Sequence, residues 1–152
     1  MEVFRISKSA HSNLEGLGGL YYPGRWHEVG YKVIYTAQHR SLAALEYLVH
    51  LSSTSFLQTD FVISTIYIPD KTQFETVSNK TLSNGWANIQ KVGTTRRMGT
   101  DFLKNKIGLY LKVPSAVIED EFNYILNPNH PDMKNCRIIN AKPFQFDDRL
   151  VK

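Results

Sequence analysis

From Tyr31 to Ala37 the chain alternates, with Val33, Tyr35 and Ala37 on one side and Lys32, Ile34 and Thr36 on the other, the period of a half-buried strand. The pattern then changes. Turned at about 100° per residue, Leu42, Leu45, Leu48 and Val49 fall on one stripe, which predicts a helix from Leu42 to about Leu51 with Ser41 as its N-cap. Glu46 lies between Leu42 and Val49 at the stripe's margin, half drawn into the core. Phe61 to Ile68 predicts a second long strand, closed by Pro69 and Asp70, and the polar stretch 71–93 predicts loops anchored by Trp86. Met98, Phe102 and Leu103 are spaced for one face of a short helix that starts at Thr95 or Thr100, runs to Lys106 and is ended by Gly108. Leu109 to Val113 predicts a strand stopped at Pro114, with extended structure resuming over Ala116 to Ile118. Asn127 to Pro131 is a rigid turn, and Cys136 to Ala141 is the last strand. Several strands with few helices, not strictly alternating, make the class α+β.

Composition narrows this picture little. A chain of 152 residues suits one domain, 1–152, burying roughly 70% of the surface exposed when unfolded. Its 42% hydrophobic and 21% charged residues are those of a globular protein. The formal charge is +4, but the 18 basic residues are scattered, with short clusters only at 94–97 and 104–106. A nucleic-acid surface needs a denser stripe, so no direct nucleic-acid contact is expected. Cys136 stands alone and the N-terminus lacks a signal-peptide layout, which points to the cytoplasm. No apolar run approaches the ~20 residues that cross a bilayer, so no membrane association is expected.

The candidate chemistry is sparse at first sight. The five histidines, His11, His27, His39, His50 and His130, show no metal-type spacing with Cys136 and no HExxH pattern, so no metal is expected. His50 follows Glu46 by one helical turn and reads either as its orienter or as an exposed histidine. The glycine-rich stretch 16–24 fits neither a dinucleotide fingerprint nor a P-loop. Arg25 behind it reads as a fork for phosphate or carboxylate, or as a loop salt bridge. Ser115 lacks the flanking glycines of a nucleophile elbow and reads as a turn hydroxyl, and Tyr35 reads as a core residue.

Taken together, Gly24-Arg25-Trp26, Val33-Ile34-Tyr35-Thr36-Ala37, Ser41-Leu42-Ala43-Ala44-Leu45-Glu46, Val113-Pro114-Ser115-Ala116-Val117 and the run from Glu121 to Pro131 resemble the RES domain. The closing segment Pro143 to Leu150 resembles that family too, so the likeness spans nearly the whole chain. It implies a core similar to ADP-ribosyltransferases, with a mixed, mainly antiparallel split sheet. It also implies a bacterial toxin of the RES-Xre type of toxin-antitoxin system, with NAD+ as substrate. Cleavage of the nicotinamide-ribose bond by hydrolysis or phosphorolysis is one implied reaction; transfer of ADP-ribose to a cellular protein is the alternative. On the matching positions Arg25, Glu46 and Ser115 are the family's catalytic arginine, glutamate and serine, and Arg25, Tyr35 and Ser115 its substrate-binding residues. An Xre-like helix-turn-helix antitoxin that blocks the pocket, and a toxin homodimer within that complex, are the implied partners. The family pattern commonly has Asn where this chain has His27, which leaves that position without an assigned role. A non-enzymatic nucleic-acid-binding module is the reading from a different class.

Nicotinamide already carries positive charge in NAD+ and departs neutral, so its bond to ribose breaks without a general acid. One carboxylate is then enough to stabilise the oxocarbenium-like sugar, where a glycosidase needs two. Glu46 is the candidate for that carboxylate. Arg25, whose planar fork grips two oxygens at once, is the candidate for the pyrophosphate. Tyr35 is expected to pack against nicotinamide, and Ser115 to hydrogen-bond its amide or the ribose.

Overall fold

The computed structural model describes residues 1–52 and 60–150. Seven strands form one sheet: β1 (Glu2–Lys8), β2 (Ile34–Ala37), β3 (Phe61–Tyr67), β4 (Phe74–Thr76), β5 (Tyr110–Pro114), β6 (Phe122–Leu126) and β7 (Arg137–Phe144). Their spatial order is β4-β5-β6-β2-β1-β3-β7, and every pairing is antiparallel except β4 with β5. The mixed, mainly antiparallel α+β class expected from the sequence is what the chain adopts. The sheet is almost divided in the middle. β1 and β3 stay in register from Glu2 opposite Tyr67 to Lys8 opposite Phe61, whereas β1 meets β2 at a single registered pair, Phe4 and Ala37.

Two helices, α1 (Arg40–Leu48) and α2 (Val92–Asn105), lie on the same face of the sheet, one over each half. The alternation along β2 shows this directly. Ala37 joins Leu42 and Ala43 of α1 in a cluster with Phe4, Ile6, Phe61, Ile63 and Phe146. Val33 and Tyr35, on the same side of β2, join Phe102 and Leu103 of α2 with Leu111, Val113 and Ile125. The helices therefore flank the line where the sheet halves part. The opposite face is covered as well: Val3, Ile34, Ile66 and Leu126 form a third cluster closed by Leu14, Met133 and Cys136. β2 is thus buried on both faces rather than on one, and the Thr36 hydroxyl satisfies itself by donating to the carbonyl of Tyr124 at 2.8 Å.

Several boundaries differ from those predicted. β2 begins at Ile34, because the chain before it is occupied in turns: the Val33 amide donates to Gly16 and the Gly30 amide to Gly19. The N-cap of α1 is His39, held extended at φ −132° and ψ 155°, so Ser41 lies inside the first turn. The helix ends at Leu48, which leaves Val49 and His50 exposed. Residues 53–59, beyond the expected helix end, lie outside the description. α2 starts earlier than expected, at Val92, and its stop is Lys106 in the left-handed region at φ 53°, not Gly108. Residues 116–118 are not extended but turn, held by the Ser115 side chain.

Candidate active site

Glu46 projects from α1 toward the ends of β5 and β6. Its Oε1 accepts from the hydroxyl of Ser115 at 2.7 Å and from the amide Nδ2 of Asn123 at 2.5 Å. Oε2 has no hydrogen-bond partner among the described residues. The carboxyl is half-buried, as its place at the margin of the apolar stripe predicted.

Ser115 follows Pro114 at the end of β5, where the chain must turn because proline has no amide to continue a ladder. Its Oγ accepts from the amides of Val117 and Ile118, each at 3.0 Å, so its one proton is directed at Glu46. The turn hydroxyl and the partner of Glu46 are the same atom. With one donor and both lone pairs engaged, Ser115 here serves to fix the Glu46 carboxylate to the turn after β5.

Tyr35 stands in the middle of β2. Asn123 of β6 pairs with Ala37, two residues further along on the same face, so Tyr35 and Asn123 share one patch of the sheet. The Tyr35 hydroxyl accepts from the Trp26 amide at 3.0 Å and lies 2.8 Å from Nδ1 of His27. His27, only 3% exposed, places Nε2 2.9 Å from the carbonyl of Tyr22. A carbonyl only accepts, so Nε2 carries the proton and Nδ1 receives the one from Tyr35. The position that departs from the RES pattern is thus a strut between two loop segments and the sheet. Burial pushes the Tyr35 phenol well above its ordinary pKa, while burial, together with the charge of Arg96, lowers that of His27.

Arg25 is fixed by this strut and by α2. Its carbonyl accepts from the Thr95 hydroxyl at 2.9 Å, and Nη1 and Nη2 donate to the carbonyls of Trp86 and Ala87 at 3.0 and 2.9 Å. The guanidinium also lies 5.8 Å from the Trp86 ring centroid, and Trp86 packs against Trp26. The expected anchor of the 71–93 stretch is therefore the residue Arg25 holds, and the loop salt bridge is replaced by a fork onto two carbonyls. Burial lowers the pKa of Arg25, and the nearby charge of Glu46, then Tyr35, pushes it back up. Glu46 thus lies close enough to Arg25 to bear on it electrostatically.

Two further residues beside the candidate site receive no role from the sequence, although Asn123 lies within the run from Glu121 to Pro131 that resembles the family. Asn123 sits in a stretch that shows no strand period, although an amide among Phe122, Tyr124, Ile125 and Leu126 was the available hint. Arg96, in a short basic run that reads as solvated surface, is half-buried and donates from Nε to the Gly24 carbonyl at 2.9 Å. His50, the alternative orienter of Glu46, is exposed beyond the helix. Among the described residues no group of three or more His, Cys, Asp or Glu is arranged to hold a metal ion, and no helix is long and apolar enough to cross a membrane.

The Tyr35 hydroxyl gives a direct test of this architecture. Tyr35→Phe leaves the Trp26 amide without its acceptor and the buried His27 without its donor, so chemical denaturation should show a loss of about 1–3 kcal/mol. Unchanged stability would mean that water replaces the hydroxyl at no cost.

Comparison with known proteins places the chain in a family. The RES domain model matches residues 2–147. A protein named Toxin Res from Photorhabdus laumondii is 35% identical over 155 residues, covering 100% of this chain and 98% of that protein. A Toxin Res from Pseudomonas putida is 37% identical over 154 residues, covering 99% of each. A Prs ADP-ribosylating toxin from Sphingobium sp. is 30% identical over 155 residues, covering 98% of this chain and 96% of that one. Among solved structures, a chain of the M. tuberculosis MbcT-MbcA toxin-antitoxin complex superposes with a TM-score of 0.74 at 13% identity, covering 95% of this chain and 84% of its own, so the two share a fold. On the family match across nearly its whole length, and on relatives of equal extent, this chain belongs to the RES domain family.

Proposed function

We propose that this RES-family toxin consumes NAD+, cleaving the bond between nicotinamide and ribose in the cleft between α1 and α2. What supports the reading is the grouping of Glu46, held on one oxygen by Ser115 and Asn123, with Arg25 and Tyr35 near enough to bear on one another. As the bond breaks, its electron pair goes to the nicotinamide nitrogen and the ring leaves neutral. Positive charge develops on the sugar, and the carboxylate of Glu46 stabilises it in a partly desolvated site where a fixed charge acts strongly. An acceptor oxygen then bonds to the anomeric carbon and releases its proton to solvent. Ser115 and Asn123 orient the carboxylate. Arg25 has spent two of its N–H groups on the Trp86–Ala87 loop and keeps the others for the diphosphate. Tyr35 holds the Gly24–His27 loop and lends its ring to the nicotinamide side.

Water or phosphate as acceptor makes the protein an NAD+ glycohydrolase or phosphorylase. A protein side chain as acceptor makes it a mono-ADP-ribosyltransferase, a second reading favoured by the name of the Sphingobium relative. In either case the toxin acts in the cytoplasm, where NAD+ is consumed, and an Xre-like antitoxin that covers the cleft, within a complex holding a toxin dimer, is its partner. Incubation of the purified protein with NAD+, with and without phosphate and with cell lysate, followed by mass spectrometry, tests this. Release of nicotinamide is expected, with free ADP-ribose, its 1''-phosphate or a modified protein identifying the acceptor. Intact NAD+ in all three mixtures would overturn the reading.

A further inference from the structure

We infer that Arg96 is a second guanidinium for the diphosphate of the dinucleotide, so that the anionic linker is held from α2 as well as from the Gly24–His27 loop. This assignment rests on the NAD+ reading above. Arg96 is half-buried, and only its Nε is engaged, on the carbonyl of Gly24. Its terminal nitrogens have no hydrogen-bond or carboxylate partner among the described residues. Arg25 differs in that both of its terminal nitrogens already tie down Trp86 and Ala87.

A partly desolvated cation without a counter-charge is costly, and the cost is relieved when an anion arrives. The place is also fixed. The Gly24 carbonyl sets the direction of the Arg96 fork and places it beside the loop residue that immediately precedes Arg25. Its neighbour Arg97 is exposed. A guanidinium with two parallel N–H groups free matches the geometry of a phosphate or diphosphate, which a lysine ammonium does not reproduce. Nicotinamide riboside, which lacks phosphate, should not sense it.

The test is calorimetry in a Glu46→Gln parent, whose slowed turnover leaves time for titration. Titration with NAD+ and with nicotinamide riboside compares that parent with the same protein carrying Arg96→Gln, Arg96→Lys or Arg97→Gln. Expected is a loss of NAD+ affinity of about 10- to 100-fold for Arg96→Gln, a smaller loss for Arg96→Lys, none for Arg97→Gln, and unchanged affinity for nicotinamide riboside throughout. Equal losses for both ligands would show that Arg96 only props the loop, and NAD+ affinity within twofold of the parent would show no contact; either result overturns the assignment. Failure of the parent itself to bind NAD+ would instead overturn the functional reading beneath it, and the assignment with it.

Discussion

Glu46→Gln should lower NAD+ turnover by about 10² to 10³, the usual loss when one preorganised electrostatic contact to a developing charge is removed. The substitution is conservative in the way the argument requires. The glutamine carbonyl oxygen occupies the position of Oε1 and can still accept from Ser115 and Asn123, so the hydrogen bonds at 2.7 and 2.5 Å have a chemical successor. What disappears is the charge facing the sugar cation. Folding should change little and nicotinamide release should nearly stop. Nicotinamide release at the native rate, measured with a melting temperature close to that of the native protein, would remove Glu46 from the chemistry.

The second large effect is expected at a residue with no side chain, Gly99. A Cβ built there would lie 1.8 Å from the carbonyl oxygen of Trp26 and 2.6 Å from its carbon, both backbone atoms that no side-chain rotation can clear. Gly99→Ala must therefore drive α2 away from the Gly24–His27 loop. That separation strains the bonds from Thr95 to the Arg25 carbonyl, from the Glu28 amide to Thr100 and from Arg96 to the Gly24 carbonyl. A cost of about 3 kcal/mol is expected from overpacking, or a fall of roughly 6–12 °C in melting temperature for a domain of this size. Turnover should fall with it, because Arg25 is displaced. Gly93→Ala in the first turn of the same helix is the control, since no atom lies within 4 Å of its Cβ. Equal melting temperatures for the two variants would show that the helix-loop contact has more slack than its geometry allows.

Local pattern made the parts of the site legible, and the contacts between them escaped it. Glu46 could be placed at the edge of an apolar stripe because helical phase is a local property, and Trp86 stood out as the one tryptophan in a polar stretch. The link from Arg25 to Trp86 spans 61 positions and leaves no periodic trace. β1 was hidden for a physical reason. Its burial runs e-B-B-i-B-B-i because both faces of the sheet are covered, so Val3 with Phe4 and Ile6 with Ser7 replace the alternation that reveals a half-exposed strand. β6 was hidden similarly, and Asn123 with it, whereas β3, a longer apolar run closed by proline, was plain. The cap of α1 shows a competing effect: Ser41 has the better side chain, but the extended backbone of His39 sets where the helix begins.

The strut at His27 ties the integrity of the cleft to proton concentration. Nδ1 must stay bare to receive the Tyr35 proton, and burial lowers the affinity of the ring for a second proton below that of an imidazole in water. The unfolded chain, with its histidine near the ordinary value of about 6.5, therefore takes up a proton that the native state refuses. This contribution to stability is complete above that value and is lost as acidity carries the solution down toward the depressed native pKa. Melting temperatures followed from neutrality into mild acid should decline, and His27→Asn, which restores the family's amide, should decline less steeply; identical slopes would mean that the ring titrates freely. The contribution of this strut is therefore full at neutral and alkaline pH, and it is the loop that carries Arg25 that acid deprives of its support.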